Sequence, residues 1–154
     1  MTLTTRSIRR WLERIVGVVA ERMPRRCQAS SMELLAPSTI ADALATVTDH
    51  WTPKVTGRVN DQYIKVAKLL GELVWHAHDE EDEMFLVVYG HLRIQLEGDR
   101  EVALDPGQFF VVPKGVQHNP VAEEEVGIVL IETVTTAHTG SVQTERTVPI
   151  ERQL

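Results

Sequence analysis

Between Lys54 and Val134 the chain is cut into short segments by turn residues: Asn60-Asp61, Gly71, Gly90, Gly98-Asp99, Asp105-Pro106-Gly107 and Pro113-Lys114-Gly115. Each interval accommodates one strand of ordinary length, and none carries a helical repeat of apolar residues. The pattern predicts strands over 55–59, 62–70, 72–78, 83–89, 92–96, 101–104, 108–112, 116–120 and 126–134. Leu92, Ile94 and Leu96 alternate with Arg93, Gln95 and Glu97, the mark of a half-buried strand. Residues 126–134 are apolar on both faces, which predicts burial between two sheets or at a dimer interface. Many short strands with frequent turns specify an all-β sandwich or barrel.

Composition narrows the class. Hydrophobic residues make up 43% of the chain and charged residues 25%, as expected for a soluble globular domain, and no apolar run has the ~18 residues needed to span a membrane. The one cysteine, Cys27, excludes an internal disulfide framework and a cysteine-built zinc site, so a cytoplasmic location is the expectation. The net charge is -6. Residues 1–31 hold seven arginines against two glutamates, so the remainder carries -11. A body this acidic repels phosphate backbones, which argues against nucleic-acid partners and leaves small-molecule ligands.

The domains expected are an arm over 1–31, a barrel over 32–140 and a polar C-terminal tail over 141–154. Ile8, Trp11, Leu12, Ile15, Val16 and Val19 recur at helical spacing in the arm, and Pro24 ends the pattern. Three readings stay open: a helix packed on the body or on a partner subunit, upstream sequence not native to the mature domain before Met32, or an Arg-rich targeting or membrane-surface helix. A second helix is predicted over 38–49, capped by Ser38 or Thr39, with Ile40, Leu44 and Val47 on one face.

The chemistry concentrates at Trp75-His76-Ala77-His78-Asp79-Glu80-Glu81-Asp82-Glu83. On a strand, residues two apart share a face, so His76 and His78 point the same way. Glu83 opens the next strand after a four-residue turn and can return beside them. His118 follows the Pro113/Gly115 turn. Three imidazole nitrogens and one carboxylate oxygen form a ligand set for one divalent transition metal, with positions left for water or substrate. A lone His-x-His is more often an accident than a ligand pair, and an acidic run is more often a solvated loop; four groups at the right parity are harder to dismiss. Iron, manganese, nickel, zinc and copper all suit the set. Lys65, Tyr63 and Gln108 are candidates for groups behind the ligands if their strands face inward. Trp75, Phe85, Phe109 and Phe110 are expected in the core or lining a pocket. His91 is expected at the surface, and His50 and His138 as structural or exposed.

The segment Gly71…His76-x-His78-(four residues)-Glu83-(six residues)-Gly90 resembles the first motif of the cupin superfamily, and Gly107-(five residues)-Pro113-x-Gly115-(two residues)-His118 resembles the second. Two positions depart from the pattern: four residues, not five, separate Gly71 from His76, and Ala122 stands where an asparagine is usual. The resemblance implies a double-stranded β-helix, or jelly-roll, barrel and the metal-ligand role for His76, His78, Glu83 and His118. Asp49–Lys54, Val74–His78, Glu81–Val87 and Val111–His118 are similar to small single-domain bacterial cupins of the mannose-6-phosphate-isomerase-like group. The expected function is a metal-dependent enzyme on a small polar metabolite, a sugar or keto-acid derivative, of isomerase or lyase type. The alternatives are a ligand-binding or sensor module without turnover, a cupin oxygenase, and a barrel whose metal only ties strands together. A homodimer is expected.

Overall fold

A computed structural model describes residues 37–154; the arm predicted over 1–31 lies outside the described residues. Helix α1 (Ile40–Ala45) is followed by strands β1 (Lys54–Val59), β2 (Gln62–Glu72), β3 (Glu83–Tyr89), β4 (Leu92–Leu96), β5 (Arg100–Leu104), β6 (Phe109–Val112) and β7 (His118–Thr133), and a 3-10 turn at Ile150–Arg152. The strands pair antiparallel in the order β1-β2-β7-β3-β6, and β4 pairs with both β5 and β7. This is an antiparallel β-barrel of the jelly-roll kind. No helix of the described residues is long and apolar enough to cross a membrane.

Strand β7 ties the barrel together. Its first residues pair with β4 (Leu96 opposite His118), its later ones with β3 (Phe85 opposite Leu130), and β2 runs along nearly its whole length. The two strands expected over 116–120 and 126–134 are therefore one. The acidic run Glu123–Glu125 reads as a break, but it sits at a shift in the β2–β7 register between Leu69 and Gly71, and faces solvent. There Glu123 accepts from Arg93 (3.0 Å) and Glu125 from Tyr89 (2.9 Å), so the charges need no turn to be solvated.

The expected strand over 72–78 is also corrected. Strand β2 continues to Glu72, and of residues 73–78 only His76 pairs, in an isolated bridge with His118. The predicted alternation survives this irregularity: His76 and His78 are buried and Trp75 is exposed.

Alternation also builds the core. Glu83, Phe85 and Val87 of β3 and Leu92, Ile94 and Leu96 of β4 point inward. All but Glu83 join Leu69, Ile128 and Leu130 in one apolar cluster. Each such side chain contributes about 1.5–3 kcal/mol by leaving water. A second cluster lies on the outer face of the sheet, where Leu44 and Val47 cover Val66 and Val129. Helix α1 begins where expected: Thr39 Oγ1 accepts from Asp42 N at 3.0 Å, and Asp42 places its carboxylate in the first turn.

The polar tail expected over 141–154, together with residues 137–140, folds back onto the barrel. Val148 and Gln153 are buried between exposed neighbours, so the segment is a strap pinned at separate points. Gly140 lies directly over the Ala77 backbone; its φ is +54°, and a Cβ there would run into the Ala77 carbonyl.

Candidate metal centre

Four side chains meet inside one end of the barrel. His76 and His118 hold each other by reciprocal backbone hydrogen bonds, His76 N to His118 O (3.0 Å) and His118 N to His76 O (2.9 Å), which set their rings 4.2 Å apart. His78 is anchored by Gly115 N, which donates to its carbonyl at 2.7 Å; Gly115 turns the chain at φ +77°, a conformation suited to glycine, and so directs His118 into the barrel. Glu83 is the first residue of β3. The loop before it is fixed by Lys114 N, which donates to Asp82 Oδ1 at 2.9 Å. Ligand atoms of His76, His78, Glu83 and His118 all lie within 4.8 Å of one another, and all four residues are buried.

The hydrogen bonds orient the rings. His76 Nδ1 donates to Val74 O (2.9 Å) and His118 Nδ1 to Val116 O (3.0 Å), which turns each Nε2 lone pair toward the centre. Glu83 Oε2 lies 3.2 Å from His78 Nε2 and 3.1 Å from His118 Nε2. His118 thus faces acceptors with both nitrogens, whereas a neutral imidazole carries one N–H. A cation between His118 Nε2 and Glu83 satisfies both sides.

The size is right as well. Bonds of about 2.1 Å put two ligands of one ion at most ~4.2 Å apart, so with every pair within 4.8 Å the ligands need close by no more than about half an ångström. The donor set fits one divalent transition ion.

The electrostatics fit a cation in the same place. Burial raises the Glu83 carboxyl, but hydrogen bonds to His118 and His78 outweigh it and hold the group well below the usual carboxylate range. Burial opposes the charging of His78, yet its hydrogen bond to Glu83 keeps it above the ordinary histidine value. Burial, reinforced by the neighbouring His118, pushes His76 down to about 4, so His76 is neutral and able to ligate at pH 7.

Three further groups stand behind the four. Lys65 on β2 forms a buried ion pair with Glu132 on β7, and Lys65 Nζ also donates to Gln153 Oε1 at 2.7 Å. Burial, and then the charge of Glu83, raise Glu132 to about 7 against the pull of Lys65. His138 is lowered to about 4 by burial and lines, with His76, Glu83, Trp51 and Phe85, a cavity of about 20 Å³. That is space for about one water.

Of the other candidates from sequence, Lys65 faces inward, Tyr63 is half-buried, and Gln108 is exposed, holding the Asp105 turn through its amide oxygen. Phe85 is core, whereas Trp75 and Phe109 are exposed. His91 and His50 are exposed and paired with Asp105 and Glu125. His138, expected as structural or exposed, is half-buried and lines the cavity beside His76, and Glu132 and Gln153 are buried groups to which the sequence reading assigns no role. The available signal was a lone carboxylate in the apolar run 126–134.

Comparison with known proteins agrees with this architecture. Residues 68–134 match the cupin domain family. A crystal structure of a cupin-2 domain containing protein from Shewanella frigidimarina is 40% identical, covers 62% of this chain and 93% of its own, and superposes with a TM-score of 0.61. A protein of Neisseria meningitidis is 28% identical, covers 64% and 99%, and gives 0.59. The uncharacterized protein YdbB of Bacillus subtilis is 35% identical over 60 residues, which is 39% of this chain and 53% of that protein, so the match spans about half the relative's length. The chain belongs to the cupin superfamily.

Proposed function

We propose that this chain is a metal-dependent enzyme acting on a small polar metabolite, a sugar or keto-acid derivative, by isomerase or lyase chemistry. The observation that carries the reading is the convergence of four buried ligand atoms, with His118 facing acceptors on both ring nitrogens. His76, His78 and His118 would hold the ion through Nε2, and Glu83 through a carboxylate oxygen. The ion, when bound, supplies a Lewis acid that polarises a carbonyl or hydroxyl oxygen.

The chain's own groups supply the rest. Val74 and Val116 carbonyls hold the ligand rings in one tautomer. Glu132 and His138 are the groups able to take or give a proton beside the ligands. Trp51, Phe85 and Leu130 line the cavity with apolar surface. The reading includes the mannose-6-phosphate-isomerase-like assignment, a cytoplasmic location and a homodimer. Phe109 and Val111, which β6 leaves exposed, support the dimer, and a solution mass of one chain would remove it.

The mostly apolar lining of the cavity, by Trp51, Leu69, Leu73, Phe85, Ile128 and Leu130, supports a second reading, a ligand-binding module without turnover. One experiment separates the two. Metal-loaded protein is incubated in D2O with a panel of sugar phosphates and 2-keto acids, and NMR follows deuterium entering the carbon next to the carbonyl. The enzyme reading predicts exchange that stops on chelation and in His76→Ala. Ligand binding without exchange favours the module.

A further inference from the structure

Lys65 and Glu132 are unusual occupants of a barrel interior. Lys65 is 1% exposed and Glu132 3%, on strands whose other inward residues include Ala67, Leu69, Ile128 and Leu130. A buried ion pair contributes little stability over apolar residues of similar volume, so its presence asks for another role. Its position suggests one. In the β3–β7 ladder Met84 stands opposite Ile131 and Phe85 opposite Leu130, so the next inward pair brings Glu132 beside Glu83. The pair therefore borders the four metal-ligand candidates.

Counting formal charges sharpens this. Lys65 carries +1, Glu132 and Glu83 carry -1 each, and a divalent ion adds +2, which leaves one positive charge in excess in a dry interior. An unbalanced buried charge is costly. What the structure places there is neutral. The amide of Gln153 accepts from Lys65 Nζ through Oε1 (2.7 Å) and donates from Nε2 to Val148 O (2.7 Å). Gln153 arrives from outside the barrel wall on the strap, with Glu151, Arg152 and Leu154 exposed around it. Its other hold is Val55 N, which donates to Gln153 O at 2.6 Å.

We propose that Lys65 and Glu132 form a subsite beside the metal centre for a small monoanionic oxygen ligand, a carboxylate or an enolate, and that the Gln153 amide fills this subsite until such a ligand displaces it. The inference rests on the metal reading of His76, His78, Glu83 and His118. The amide oxygen of Gln153 supplies the acceptor that Lys65 needs, but not the negative charge that balances the site. A carboxylate supplies both. The strap is then an internal competitor for the Lys65 ammonium.

The tip of a glutamine side chain is an acetamide, and acetate is its anionic counterpart. The test is calorimetric titration of metal-loaded, full-length protein with each of these two probes. Gln153→Ala should bind acetate about tenfold more tightly than wild type does, and in that variant acetate should exceed acetamide by a similar factor, because a charge-assisted hydrogen bond replaces a neutral one. Adding Lys65→Met should abolish acetate binding while the metal content stays unchanged. Gln153→Glu places the carboxylate within the chain. It should raise the melting temperature of the metal-loaded protein above wild type, lower that of the metal-free protein, and leave no acetate binding. Equal acetate affinity in wild type and Gln153→Ala, or no preference for acetate over acetamide, would overturn the subsite. If Gln153→Ala does not fold, the opposite melting shifts of Gln153→Glu decide, and shifts of the same sign overturn it. Metal analysis of the same samples keeps the two ideas apart: wild-type protein that takes up no ion defeats the ligand assignment, whereas loaded protein indifferent to acetate defeats only the subsite.

Discussion

At the scale of the residue, the site depends on which groups are charged. His76 and His138 are both held near 4 by burial, well below the ordinary 6.5. In the metal-free protein they are neutral when folded and take up protons when unfolded. Each contributes stability that is present above about pH 6.5 and is lost as pH falls toward about 4. His78 and Glu132 are shifted the other way, His78 above its ordinary value by its hydrogen bond to Glu83 and Glu132 to about 7 by burial; their contributions are full below the ordinary value and are lost as pH rises through the raised one, so both offset part of the loss. Because two histidines are lowered against one strongly raised carboxyl, the chelated protein should still melt at a lower temperature at about pH 4.5 than at about pH 6.5. A melting temperature that stays level or rises over that interval would contradict the neutral state of these two rings in the folded chain. The convergence of the four candidate ligands was legible in the sequence because strand parity depends only on neighbours: His76 and His78 differ by two, and Glu83 opens the next strand. Glu132, His138 and Gln153 were not legible. A lone carboxylate in an apolar strand gains meaning only once the register sets it beside Glu83, and His138 and Gln153 reach the barrel through a segment without periodicity.

At the scale of the element, the sequence reading succeeds where alternation is clean and fails where charge interrupts it. The turn residues placed β3 and β4 at their observed bounds, because a solvated turn and a half-buried strand leave different local patterns. It divided β7 at Glu123–Glu125, where long-range pairing with β2 carries the strand through the acidic run. Residues 73–78 show the reverse case: a strand-like pattern with a single bridge, His76 to His118. The core should respond as a close-packed unit. Ile94 is fully buried at the centre of β4, and Ile94→Ala should lower unfolding free energy by about 2–5 kcal/mol, read from the urea midpoint with an unchanged m-value. A loss below about 0.5 kcal/mol, the range of ordinary surface changes, would mean that β4 does not pack as described.

At the scale of the whole molecule, the barrel holds its ligand candidates on separate elements: the segment after β2, the start of β3 and the start of β7. An ion bound there would join parts of the chain that otherwise meet only in the folded state, and would stabilise the fold by binding to that state alone. The strap adds closure, with Gly140 over Ala77 and Gln153 on Lys65. The all-β class was legible from turn spacing alone, but the strap's fold-back was not, since polar residues without periodicity give no sign of where they pack. The most direct test of the central claim is elemental analysis of the purified full-length protein, after loading with a divalent transition metal and removal of excess. Wild type should retain about one ion per chain, whereas folded His76→Ala and Glu83→Gln should retain roughly a tenth of that or less. Wild type that retains none, or folded variants that retain as much as wild type, would contradict the metal centre.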